Sequence, residues 1–172
     1  MALARIAVLG LVGVGFGCVA PAARPTDELI EAGKKVPLLR DGSPAPEPCP
    51  EKALLVMKAL ELNAGDSVHV EIDANQTERE PLTINDGPIE SIMLGHLGNL
   101  GGTTRLYGRV WTSGPRVVIR YYWAQRVGGK RMPICAVARK GGGQLESKPG
   151  KAPGSAELPY STALAFIVEE FL

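Results

Sequence analysis

Apolar and polar residues alternate with a period of two through much of this chain, most clearly between residues 104 and 139. Leu106 and Val110 occupy the even positions of a first strand, and Arg105, Tyr107, Arg109 and Trp111 the odd ones. The next run inverts this parity: Val117, Ile119, Tyr121 and Trp123 are odd, and Arg116, Arg120, Tyr122 and Arg126 even. A loop over Thr112-Ser113-Gly114-Pro115 pairs Trp111 with Arg116, Val110 with Val117 and Tyr107 with Arg120, which keeps the apolar side chains on one face. Pro115 has no N–H to donate and favours this four-residue loop over a two-residue turn. A second hairpin through Gly128-Gly129 brings Met132, Ile134, Ala136 and Ala138 onto the same apolar face. Pro133 then falls opposite Ala124, so the third strand is expected to be an edge there.

Residues 50–62 read as a helix: proline suits the first position, the interior is rich in helix formers, and Gly65 can close it. Leu54, Met57 and Leu60 share a face, with Ala53 beside them. Over residues 66–73, Val68, Val70 and Ile72 alternate with Ser67, His69, Glu71 and Asp73, a half-buried strand. Residues 81–84 pair briefly, Asn85-Asp86-Gly87-Pro88 forms a turn, and residues 89–97 form a short helix ending at Gly98. Residues 141–157, rich in glycine, proline and lysine, form a loop. Residues 160–172 fit either a helix or a strand, and their β-branched and aromatic content favours a strand carrying Leu164, Phe166 and Val168 on one face. These elements predict a β-rich α+β fold, a mostly antiparallel sheet with a meander over 104–139 and an N-terminal helix packed on it.

The start of the chain follows another rule. One positive charge at Arg5 precedes an unbroken apolar and glycine run that ends in Gly17-Cys18, the layout of a secretory signal peptide over residues 1–17. A cysteine directly after a small residue resembles a lipobox, in which Cys18 is lipidated and becomes the new N-terminus. Cleavage after Ala22 without lipidation and a retained N-terminal anchor stay open. Residues 18–48 form a proline-rich tether, with Pro44, Pro46, Pro48 and Pro50 in strict alternation. A compact domain is expected over residues 49–172.

Arg5 lies in the leader, so the mature chain carries 18 basic and 18 acidic side chains. This balance gives no global field for nucleic acid or membrane binding. Eight acids stand between Glu61 and Glu90 against the single Arg79, whereas residues 91–145 hold nine bases and no acid. Acidic and basic strands that neutralise one another across a sheet account for this split. With Cys18 acylated, Cys49 and Cys135 remain as an even pair in an oxidising compartment, which predicts a disulfide. A reactive Cys49 at a helix N-terminus is the alternative. A zinc site from Cys49, Cys135, His69 and His96 has suitable ligand types but no paired ligand spacing, so no metal is assigned.

The hairpin's second face carries the one suggestive constellation, Arg105, Tyr107, Arg109, Trp111, Arg116, Arg120 and Tyr122. Arginines over aromatic rings could bind phosphate, carboxylate or glycan groups; a neutralised or covered strand face is the plainer reading. No phosphate loop, H-E-x-x-H or G-x-S-x-G motif occurs in the mature region. No catalytic residue and no cofactor are assigned. His69, flanked by Glu71 and Asp73, is the one plausible general base on a strand.

Three stretches, residues 85–92 (Asn-Asp-Gly-Pro-Ile-Glu-Ser-Ile), 104–111 (Thr-Arg-Leu-Tyr-Gly-Arg-Val-Trp) and 133–139 (Pro-Ile-Cys-Ala-Val-Ala-Arg), resemble a group of small predicted lipoproteins of myxobacteria. The group has no established activity and supplies no catalytic residues. Some of its members carry a serine/threonine kinase label, which this chain does not support, having no H-R-D or D-F-G motif. The expectation is a non-enzymatic cell-envelope lipoprotein with a small binding or scaffold domain, facing the periplasm or outer membrane, or else secreted. Its partners would be the membrane, through the lipid, and an envelope protein or anionic envelope component, with no nucleic acid. The alternatives are a small hydrolase centred on His69 and an accessory of a cell-surface kinase system.

Overall fold

A computed structural model describes residues 36–172. The leader and Cys18 lie outside them. The described chain runs β1 (Glu47–Pro48), α1 (Glu51–Ala59), β2 (Ser67–Glu71), β3 (Leu82–Asn85), β4 (Gly87–Met93), β5 (Arg105–Trp111), β6 (Val118–Gln125), β7 (Arg131–Arg139), β8 (Lys148–Pro149), β9 (Ser155–Leu158), β10 (Thr162–Ile167) and β11 (Glu170–Phe171). Six strands close a barrel in the order β10-β2-β4-β5-β6-β7, with every pairing antiparallel. A three-stranded sheet, β3-β9-β8, and the short pair β1-β11 flank it. The molecule is β-rich and antiparallel with one short helix among the described residues. Closure gives each barrel strand a neighbour on both sides over part of its length.

Alternation fills the barrel. Val68 and Val70, Ile89 and Met93, Leu106 and Val110, Ile119 and Tyr121, and Ile134 all belong to one buried cluster. Six strands enclose less space than the eight at which side chains just fill a barrel. Ala136, Ala138, Ala163 and Ala165 supply the small side chains this requires. In the β7–β10 pair Ala165 faces Ala138, and Ile167 faces Ala136. Outside the wall, Ala53 and Met57 of α1 pack against β7, and the Met57 sulfur accepts the Cys135 N–H at 3.1 Å. Cys49 and Cys135 are joined there, with Cα atoms 6.0 Å apart. The bond fastens the chain two residues before α1 to the middle of β7.

Several sequence expectations change, among them the loop over residues 141–157, which contains β8 and most of β9. Residues 89–97 are not a helix: Gly87–Met93 is the barrel strand β4. Ile89 and Met93 are four apart and fit a helical turn, while Ser91 between them breaks the apolar alternation. Ser91 nevertheless points inward, donating to the Ile72 carbonyl at 2.6 Å and sharing a 2.8 Å hydrogen bond with the Tyr121 hydroxyl. The first hairpin has a longer loop: Trp111 pairs with Val118, Val110 with Ile119 and Arg109 with Arg120. Val117 instead bridges to Leu145. A bulge then leaves Tyr122 unpaired, so that Tyr107 faces Trp123 and Leu106 faces Ala124. Trp123 thereby leaves the apolar face and Ala124 replaces it.

In the second hairpin Pro133 stands opposite Trp123 rather than Ala124. The β7–β10 pairing covers Ala136 to Arg139 only, so at Pro133 the strand has β6 alone as a neighbour. The C-terminal residues form strands, but the buried face of β10 is Ala163, Ala165 and Ile167, with Leu164 and Phe166 turned outward. Packing also starts before residue 49. Val36 and Pro44 are buried, Ala45 N–H donates to Pro37 O at 2.8 Å, and Cys49 N–H to Glu169 O at 3.0 Å.

Candidate functional site

The outer face of β5 and β6 gathers the expected arginines and aromatics, but not as an open surface. Arg105 pairs with Glu90 of the neighbouring strand β4. That hydrogen bond, with the attraction between the two charges, raises the guanidinium pKa further. Arg109 meets Asp86, Nη2 to Oδ1 at 2.8 Å, and lies 5.5 Å from the Trp111 ring centroid. Asp86 is held in turn by its own N–H, which donates to Gly154 O at 2.7 Å. The acidic strand neutralises the basic one across the sheet.

Trp111 and Arg120 are buried, Arg120 completely. A face exposed along its whole length is therefore ruled out. Residues 44–47 lie over it: Arg120 Nη1 donates to Ala45 O at 3.0 Å and to Glu47 Oε1 at 3.2 Å, and Nη2 to Pro44 O at 3.3 Å. The guanidinium lies between the Trp111 and Phe171 rings, 5.4 and 5.2 Å from their centroids. Tyr122, the bulge residue, donates to Glu47 Oε1 at 2.6 Å and packs 5.3 Å from Phe171. Burial raises the Tyr122 pKa, and the hydrogen bond to anionic Glu47 adds to the shift. Alternating prolines hold residues 44–48 extended, so successive carbonyls are free to accept from one planar donor. The β1–β11 pair, Glu47 to Phe171 and Pro48 to Glu170, completes the clasp.

Tyr107 is buried with the Arg131 guanidinium 4.4 Å over its ring. Arg116 is displaced from the group altogether. It sits in the loop between β5 and β6 and lines an open cleft of about 590 Å³ with Lys140, Gly141, Gly143, Gln144, Glu146 and Tyr160. The cleft walls are tied together. Val117 bridges to Leu145, and Lys140 exchanges two backbone hydrogen bonds with Gly143. The Tyr160 hydroxyl accepts the Glu146 N–H at 2.9 Å and lies 3.3 Å from the Glu146 carbonyl. Lys140 Nζ donates to Thr162 O at 3.1 Å while lying 4.5 Å over the Tyr160 ring. Burial raises the Tyr160 pKa, against the opposing pull of the Glu146 N–H and the Arg116 charge.

His69 is exposed on β2 opposite Leu164. Glu71 turns into a buried position and accepts the Glu78 N–H at 3.3 Å, while Asp73 accepts from Asn75 and Gln76. Neither carboxylate is hydrogen-bonded to His69 among the described residues. The Cys49–Cys135 bond takes both thiols out of any zinc site, and no cluster of potential metal ligands occurs among the described residues. Sequence reasoning missed Pro44, Glu47 and Phe171, which complete the Arg120 site, and Lys140, Gln144 and Tyr160 of the cleft. The signal for the first group was Glu47 standing within the proline alternation. The cleft has no local signal, because three separate loops build it.

No helix among the described residues is long and apolar enough to cross a membrane. No family model, no curated protein and no solved structure matches the chain.

Proposed function

We propose that the protein is a non-enzymatic binding module of the cell envelope, held at a membrane by a lipid on Cys18 and presenting its barrel on a tether. The observation that carries this reading is the seating of residues 44–48 on the barrel. This stretch, on the anchor side of the barrel, is clasped by the fully buried Arg120, paired through β1 and β11, and followed at once by the Cys49–Cys135 disulfide. A module under tension from an anchor needs such an attachment, because an unfastened tether would pull directly on α1. The buried disulfide supports an oxidising compartment. The resemblance to myxobacterial lipoproteins supports the same placement. The hydrolase alternative is weakened by the exposed, isolated position of His69.

The test is membrane partition. Wild-type protein expressed in a Gram-negative host should sediment with membranes and enter detergent, while Cys18→Ala should stay in the soluble fraction. Equal partition of the two chains would remove the anchor from the proposal.

A further inference from the structure

The geometry points to the cleft between Arg116 and Lys140 as a binding site for a phosphate group. The inference rests on the binding-module reading and names its ligand class. On the hairpin face Arg105, Arg109 and Arg120 each have a carboxylate partner, Glu90, Asp86 and Glu47. Arg116 has none among the described residues, although it lines the same cleft as a second cation. Lys140 uses one of its three hydrogens on Thr162 O and lies over the Tyr160 ring, and its charge has no carboxylate partner among the described residues. Gln144, also in the lining, carries a neutral amide. Glu146 is the one carboxylate in the lining, so the two cations leave a net positive cleft.

Arginine contributes a planar fork and lysine a compact point charge, a combination suited to an anion with several terminal oxygens. A phosphate can engage both at once. The walls are preorganised by the Tyr160–Glu146, Lys140–Thr162 and Val117–Leu145 ties, so little ordering is lost on binding. At Gly141 and Gly142, both at positive φ, an added Cβ would meet nothing within 4 Å, so the turn edging the cleft is open. The phosphate can belong to a soluble phosphomonoester or to a lipid headgroup.

The experiment titrates inorganic phosphate into the full Cys18→Ala chain by calorimetry, so that an acyl anchor plays no part. Saturable binding that weakens with added salt is expected. Arg116→Ala and Lys140→Ala should each weaken it by about tenfold, the usual scale of a charge-assisted hydrogen bond. Lys130→Ala, an exposed cation outside the cleft, should leave it unchanged. All three positions are exposed, and thermal melts check that each variant folds. A second arm mixes the same chain with phosphatidylglycerol vesicles and with phosphatidylcholine vesicles. Arg116-dependent sedimentation with the former assigns the headgroup as source; phosphate binding without sedimentation assigns a soluble phosphate. Absence of saturable phosphate binding, or equal weakening by Lys130→Ala, overturns the proposal. Failure here leaves the Cys18 partition result untouched, so the two readings fall separately.

Discussion

Arg120 occupies a position that alternation marks as outward, and the fold buries it completely beneath the chain's own proline segment. Burying a guanidinium is costly where its donors go unused; here Nη1 and Nη2 reach two carbonyls and a carboxylate and the Trp111 and Phe171 rings pack over the group, while Nε has no partner among the described residues. Removing one partner of a fully buried ion pair costs about 3–5 kcal/mol. The Glu47 side chain is 29% exposed, so solvent can recover part of its loss. Arg120→Ala should therefore destabilise by about 2–4 kcal/mol in urea unfolding, and Arg120→Lys should recover little, since a point charge cannot replace the fork. A cost near zero would mean that the clasp contributes nothing to stability. Tyr121 and Tyr122 make a second test at this scale. Burial raises both hydroxyls, and for Tyr122 the Glu47 hydrogen bond adds to it. A group whose pKa is higher folded than unfolded gives stability that is complete below the unfolded value, about 10 for tyrosine, and is lost as pH rises beyond it. Stability should hold from neutral pH to about 10 and then fall, with the two tyrosinate absorbance steps coinciding with loss of the fold. Early ionisation of either in a folded chain would contradict their burial.

At the scale of elements, the β5–β6 hairpin shows where sequence reading succeeds and where it stops. Parity alone sorts Leu106 and Val110 from Arg105, Tyr107, Arg109 and Trp111, and the two faces are real. Parity cannot see the bulge, which adds one residue and moves Trp123 and Ala124 across the sheet. Gly108 is the local cause: a Cβ built there would stand 2.0 Å from the Arg120 carbonyl oxygen. Gly108→Ala should destabilise at the upper end of the about 1–3 kcal/mol typical of overpacking, and should shift the amide resonances of Arg120 and Tyr121 more than those of β2. Unchanged stability would show that the backbones can separate there without cost. β4 was illegible for a different reason. Its inward serine is satisfied by Ile72 and Tyr121, which come from distant parts of the chain, so the strand reads as an interrupted helix. The candidate cleft was equally hidden, since Arg116, Lys140 and Tyr160 meet only when the barrel closes.

On the scale of the whole molecule, a narrow closed barrel is filled by alanines and medium-sized side chains, and the chain on the way to the proposed anchor is bound to its wall. Closure, the Arg120 clasp and the Cys49–Cys135 bond act in series: the clasp holds residues 44–47, the disulfide holds residue 49, and β7 joins both β6 and β10. The cysteine count made the disulfide legible, whereas barrel closure depends on the β10–β2 and β10–β7 pairings, which join residues far apart in sequence. The most direct single measurement is the non-reduced intact mass of the mature protein taken from membranes. The expected mass is that of a chain beginning at an acylated Cys18 and lacking the two hydrogens of Cys49 and Cys135. An unmodified chain beginning at Ala23 or Met1, or one carrying two free thiols, would contradict it.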